Sequence, residues 1–229
     1  FMRKNNIYLK IKSFFTFDRI TSGIIYVMLF SYLSNTVIDP DFGWHLVYGE
    51  KLIKQHQFIF NDIFSWTMPG YPWFNISWIY DAGVYWLFSH YGFAILSVIE
   101  GFLFCFIYYI SVRPYRLSFP GKMLVAYLFT FFMSNLAGPG LRVQIFEILN
   151  IAILNLLIYK IDKYKNYTLA LLFPLLMVFW VNIHGSFIIG LYLMGIYITA
   201  KIISLWLDKK KIEKSCPGQI LKQSVIYFL

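Results

Sequence analysis

Charge is what this sequence has least of. Only 14% of its 229 residues are Asp, Glu, Lys or Arg, against about 25% in an ordinary soluble domain, while 59% are hydrophobic. A chain so composed cannot clothe a water-facing globule in polar side chains, which excludes the usual soluble enzyme or carrier. Cysteine is almost missing as well. Cys105 sits in an apolar run and Cys216 in a Lys-rich link, so no disulfide is expected between them. There is no Cys or His pair at zinc spacing, no phosphate-cradling Gly loop, no Gly-x-Ser-x-Gly elbow and no internal repeat. Those absences remove the structural-zinc, nucleotide-hydrolase, α/β-hydrolase and inverted-repeat transporter readings. Acids are scarce beside bases, 11 against 20, giving a net charge of +9. Because the bases fall in the links between apolar runs, membrane topology explains them and no nucleic-acid partner is expected.

What the chain does have is long apolar runs. They approach the ~20 residues that cross a ~30 Å hydrocarbon core. We expect an all-α, polytopic transmembrane helix bundle with about six spans, at 20–37, 92–112, 121–137, 144–160, 168–183 and 186–207. A basic cytoplasmic tail (1–19) precedes this module (20–207), and a cytoplasmic link with the start of a further span follows it (208–229). The first run lacks a small-residue cleavage site and is read as a retained anchor. Phe1 before Met2, and an apolar run just beginning at "QSVIYFL", suggest the front part of a longer protein.

The segment 76–90, "ISWIYDAGVYWLFSH", decides the topology. If it crosses, the cations of later links change sides. If it lies on the surface, segments 1–20, 113–122, 160–165 and 201–222 hold 5, 3, 3 and 6 Lys/Arg on one side, 17 of the chain's 20. The positive-inside rule favours the second arrangement, as does Asp81, since an acid at mid-membrane costs about 2.5–3.5 kcal/mol. We then expect a multi-pass membrane protein with a cytoplasmic N terminus and a large outer loop, 38–91, of interfacial helices. Five of the seven tryptophans lie in that loop (Trp44, Trp66, Trp73, Trp78, Trp86), where aromatic rings meet lipid headgroups. Arg142 and all four histidines (His45, His56, His90, His184) fall on the same outer side.

The outer loop opens "DPDFGWHLVYGE". Asp41 is placed to cap a helix running to about Gln55, with His45 one turn on and beside it. Asp39 precedes it across the stiff Pro40. A simple cap accounts for Asp41 as well as a functional role does. "GPGLRVQ" sets Arg142 at the start of a span, next to Gln144. There it either snorkels to headgroups or grips a phosphate with parallel hydrogen bonds. Glu147, five residues on, stands where it could orient Arg142. "WVNIHGSF" is a tight turn that exposes His184. Glu100 and Glu147, in or near apolar runs, suit an interhelical hydrogen bond or a proton relay. Asn75-Ile-Ser77 matches a glycosylation triplet, which is discounted because such triplets are frequent by chance.

Taken in order, "DPDFGWHLVYGEKLI", "NDIFSWTMPGYPWFNISWIYDAGVYWL", "LRVQIFEIL" and "FWVNIHGSFIIGL" resemble bacterial polytopic glycosyltransferases of the GT-C type, distantly like the protein O-mannosyltransferases and the lipid A aminoarabinose transferases. The resemblance covers most of 20–207. It implies transfer of a sugar from a polyprenyl-phosphate donor to an acceptor glycan, lipid or protein at the outer face of the bilayer. An acid of the first outer loop would be the base, here Asp41 or Asp39 with His45. The relatives commonly carry Asp-Glu there, whereas this chain has Asp-Pro-Asp, so the choice between the two stays open. Arg142, His184, Gln144 and Trp44 would then bind substrate. The resemblance leaves a divalent metal, Mg or Mn, open, with Asp39, Asp41 and His45 as its ligands. It also implies later spans that complete the acceptor site, so that this stretch alone would be inactive. The alternative is a multispan transporter or lipid flippase working through Glu100 and Glu147; a non-catalytic scaffold is the third reading.

Overall fold

The computed structural model describes residues 17–34, 39–136 and 140–215, with side chains for 19–34, 39–135 and 140–207. Most of the basic tail, Cys216 and the start of the further span lie outside the described residues. Those described form seven α-helices: α1 (Phe17–Leu33), α2 (Phe42–Gln55), α3 (Trp78–Val112), α4 (Phe119–Leu136), α5 (Val143–Tyr164), α6 (Leu172–Val181) and α7 (Phe187–Ser215). A 3₁₀ turn, Tyr167–Leu171, leads into α6. The only β feature among them is an isolated bridge between Asn61 and Pro72.

The fold class is therefore all-helical, and among the described residues three helices are long and apolar enough to cross a membrane: Trp78–Val112, Val143–Tyr164 and Phe187–Leu207. Arg19–Leu33 and Tyr167–Val181 are shorter apolar helices. Helix occupies most of the described residues of each expected span, although that at 168–183 is part 3₁₀ turn and part α6, and only three of the six expected spans meet the length and composition of a crossing. The segment 76–90 and the span 92–112 are joined in one helix, α3. The join is broken in backbone terms at Gly92, where φ is 69° and ψ −162°, values that cost glycine little.

The helices present one thin buried stripe and wide apolar flanks. In α1, Ile25, Leu29 and Leu33 recur every four residues at 2–3% exposure, while Val27 and Met28 on the other side are 66% and 58% exposed. Phe102 of α3 and Tyr127 and Phe131 of α4 are likewise outward. Apolar surface of this extent suits lipid. With lipid as solvent, close packing holds helices together, and small residues allow it. Gly101 of α3 shows this: a Cβ there would run into the Phe30 ring of α1 and the hydroxyl of Ser34, the residue after it.

The chain divides into two units between Phe187 and Ile188. The second is essentially α7, whose most apolar 18-residue window is only 6% buried. The first contains every polar group considered below.

Candidate functional site

The site is built on α2. Its apolar stripe buries Phe42, His45, Tyr48 and Gly49, positions that share a face at helical spacing. At Gly49 the helix meets α3 backbone to backbone: a Cβ there would overlap the carbonyl of Asp81 and crowd Cβ of Tyr85. One turn earlier this approach sets the His45 Nδ1 2.5 Å from the Asp81 Oδ1, both side chains almost wholly enclosed. The second oxygen of Asp81 accepts a 2.5 Å hydrogen bond from the Asn75 amide. Asn75 also receives the Ser77 backbone N–H on its own oxygen, at 3.0 Å. The imidazole is sandwiched as well, with the Trp44 ring at 3.7 Å and the Tyr80 ring edge-on at 4.8 Å between centroids.

A carboxylate–guanidinium pair joins the loop before α2 to the start of α5. Asp39, 6% exposed, accepts from Arg142 Nε at 2.9 Å through one oxygen and from the Asp41 N–H at 3.1 Å through the other. The Tyr80 hydroxyl donates to the Leu141 carbonyl at 2.6 Å, tying α3 to the residue just before Arg142. This one tyrosine thus bridges the His45 ring and the Arg142 segment.

The turn after α6 closes the cluster. Trp78 Nε1 donates to Asn182 Oδ1 at 2.8 Å, and the Ile79 N–H to the Asn182 carbonyl at 3.3 Å, which docks the turn on the first residues of α3. His184 Nδ1 lies 3.6 Å from Glu147 and 2.8 Å from the Ser186 hydroxyl. Its pKa is held below the ordinary value of 6.5, first by burial and further by the charge of His45, with Glu147 opposing. On the other side of the site, burial together with the charges of Asp62 and Asp81 raises the Tyr48 phenol to about 12.

The structure thus brings together Asp39 with Arg142, Trp44 with His45, and His184 within electrostatic reach of His45. Two sequence expectations change. Asp41 stands at the head of α2 but its side chain forms no capping hydrogen bond and is exposed, and it is not the partner of His45. His45 points inward to Asp81 because its position lies on the buried stripe, whereas Asp41 lies off it. Glu147 serves His184 rather than Arg142, which is taken by Asp39. Gln144 is the second residue of α5, with its Oε1 buried and without a hydrogen-bond partner.

The proposed ligand set of Asp39, Asp41 and His45 does not fit a metal. Both oxygens of Asp39 are engaged by N–H groups and His45 turns to Asp81. Among the described residues no group of three His, Cys, Asp or Glu side chains gathers. The sequence reading missed Asp81, Asn75 and Tyr80 as members of the cluster. The signal for Asp81 was present, since an acid inside an apolar helix normally faces a partner or a wet cavity. Asn75 is committed to Asp81, which argues against the glycosylation triplet. No protein-family model, no curated protein and no solved structure matches this chain.

Proposed function

We propose that the chain is the catalytic module, or part of it, of a membrane glycosyltransferase that moves a sugar from a polyprenyl-phosphate donor to an acceptor hydroxyl. The observation that carries this reading is the juxtaposition of a buried carboxylate–imidazole pair, Asp81–His45, with a carboxylate–guanidinium pair, Asp39–Arg142. The transfer needs a base and an anion holder, and the cluster offers both kinds of group.

In this reading His45 is the base. With Asp81 ionised, the N–H at Nδ1 donates to it, which leaves Nε2 as the lone-pair nitrogen. The acceptor hydroxyl gives its proton to Nε2 as its oxygen bonds to the anomeric carbon. The bond from that carbon to the phosphate oxygen breaks, and the lipid phosphate departs with the electron pair. Asp39 occupies only Nε of Arg142, so the two terminal nitrogens of the guanidinium can take phosphate oxygens as charge develops. His184 and Gln144 flank the phosphate, and Trp44 offers the sugar a ring face. Asp41, exposed at the head of α2 and without a side-chain cap bond, is the alternative base.

The six helical segments are read as spans, with α2, the turns of 57–77 and the first arm of α3 on the extracytoplasmic surface of the inner membrane. The N terminus is then cytoplasmic. The competing transporter reading draws on Glu100, which is wholly buried in α3. The test is transfer of labelled sugar from a polyprenyl-phosphate donor in membranes carrying the full protein. His45→Gln and Asp81→Asn should each lower transfer by about 10²-fold or more without loss of inserted protein. If those variants and Asp41→Asn all transfer normally while Glu100→Gln impairs substrate movement, the transporter reading replaces this one.

A further inference from the structure

A cavity of about 330 Å³ opens beside α2, lined by Trp44, Asp62, Phe64, Tyr71 and Trp73. The chain makes it by folding 60–73 back on itself. The Asp62 N–H donates to the Tyr71 carbonyl at 2.7 Å and the Trp73 N–H to the Phe60 carbonyl at 2.8 Å. Gly70 takes the reversal at a φ of 77°, a value that glycine adopts freely. The rings are held from behind. Tyr48, itself buried, packs against Phe64 and Trp73 with centroids 5.2 Å from each, and Trp73 meets Trp44 at 5.8 Å with the planes 69° apart. Asp62 is the one charged side chain of the lining. Its Oδ1 accepts the N–H groups of Phe64 and Ser65 at 2.8 and 3.1 Å, and among the described residues no hydrogen bond or ion pair reaches its Oδ2. Rings at headgroup level are ordinary in a membrane protein. A half-buried carboxylate set among four of them without a counter-ion is not.

We propose that this cavity binds a methylated ammonium group, as the headgroup of a choline lipid or as a free quaternary amine. Aromatic rings attract a cation through their negative π faces, and a carboxylate beside them supplies the opposite charge. The shortage of acceptors narrows the class further. A primary ammonium or a guanidinium carries several N–H donors that each need an oxygen, whereas the lining side chains offer the second Asp62 oxygen and the Tyr71 hydroxyl and are otherwise ring. A quaternary nitrogen has no N–H to satisfy and presents only methyl groups to the rings. Burial first, and then the charges of Asp62 and Asp81, push the Tyr48 phenol behind the cage up to about 12, in keeping with a negative field at this wall. Trp44 also belongs to the site described above, yet the inference does not rest on the glycosyltransferase reading. Asp62 and Trp73, which carry it, have no part in that reading.

The test uses the full chain in a nonionic detergent, with the thermal unfolding midpoint followed during titration at constant ionic strength. The probes are choline chloride, its uncharged isostere with tert-butyl in place of trimethylammonium, glucose, and phosphatidylcholine beside phosphatidylglycerol. We expect choline or phosphatidylcholine to raise the midpoint where the isostere, glucose and phosphatidylglycerol do not. Asp62→Asn retains an oxygen for the N–H groups of Phe64 and Ser65 and so keeps the turn. It should raise the half-saturating concentration roughly fivefold or more, and Trp73→Leu by a similar factor, the loss of one charge contact or of one ring. A shift by choline identifies the free cation as sufficient; a shift by phosphatidylcholine alone identifies the headgroup with its chains. Asp62→Asn by itself covers the case in which Trp73→Leu fails to fold. An equal response to the isostere or to glucose, an unchanged half-saturation in Asp62→Asn, or no response to either choline probe would overturn the proposal.

Discussion

Gly49 of α2 lies against the backbone carbonyl of Asp81 in α3, with no room for a side chain between them. That contact sets the spacing at which His45 meets Asp81. Gly49→Ala should therefore lower stability by about 1–3 kcal/mol, since backbone cannot yield as a side chain can. Gly83→Ala, with nothing within 4 Å of its would-be Cβ, should instead stabilise α3 by about 0.5–1 kcal/mol. Unfolding midpoints of the two variants check the contrast; equal effects would mean that α2 does not pack this closely.

Asp39 and Arg142 are coupled across 103 residues of sequence. Because Asp39 is enclosed and Arg142 is 26% exposed, Arg142→Gln should cost about 2–3 kcal/mol, toward the lower side of the range for breaking buried pairs. Adding Asp39→Asn should return part of that loss, since no lone carboxylate remains. A double-mutant cycle on midpoints measures this, and strict additivity would show that the pair carries no coupling.

Asp81→Asn removes the acceptor that fixes the imidazole tautomer. In the full protein, sugar transfer should fall by about 10²- to 10⁴-fold. The amount of inserted protein should stay near that of the parent, because Asn can still hydrogen-bond both neighbours. Transfer assays beside membrane protein quantification separate the two effects.

His184 carries a pH dependence. Its folded pKa lies below 6.5, so the folded chain declines a proton that the unfolded chain accepts. This contribution to stability is present above about pH 6.5 and is lost as pH falls toward the depressed value. Unfolding midpoints taken downward from about pH 7.5 should drop below about pH 6.5, and His184→Gln should flatten that part of the curve. An unchanged slope in the variant would remove His184 as its source.

The helices were legible because apolar run length is a local property. The stripe of α2 was legible only in part: spacing groups Trp44 with Tyr48, and they do pack ring to ring at 6.0 Å, but it set His45 on another face, whereas the helix buries His45 together with Phe42, Tyr48 and Gly49. What local reading lacked was the partner of each polar side chain. Asp41 and His45 are neighbours at helical spacing, yet a helix has only one buried face, and Asp41 is not on it. His45 instead meets an acid 36 positions away, which no periodicity encodes. Arg142 and His184 were singled out for chemistry that their turns permitted, and both proved to be held by carboxylates, Asp39 and Glu147. Asn75 stood out in sequence only through a triplet that was discounted, whereas its bond to Asp81 joins it to a residue six positions on that local reading had not paired with it.

Gly92 has a consequence of a counting kind. An unbroken helix of 35 residues would be about 52 Å long, well beyond a hydrocarbon core of about 30 Å. Interrupted at Gly92, it yields a second arm of about 30 Å, the length of one crossing, and a first arm freed to take another direction. Whether the helix contributes one crossing or two sets the parity of every later segment, and hence which water phase meets Arg113, Arg142 and His184. The break at Gly92 is what leaves the first arm a choice between the two.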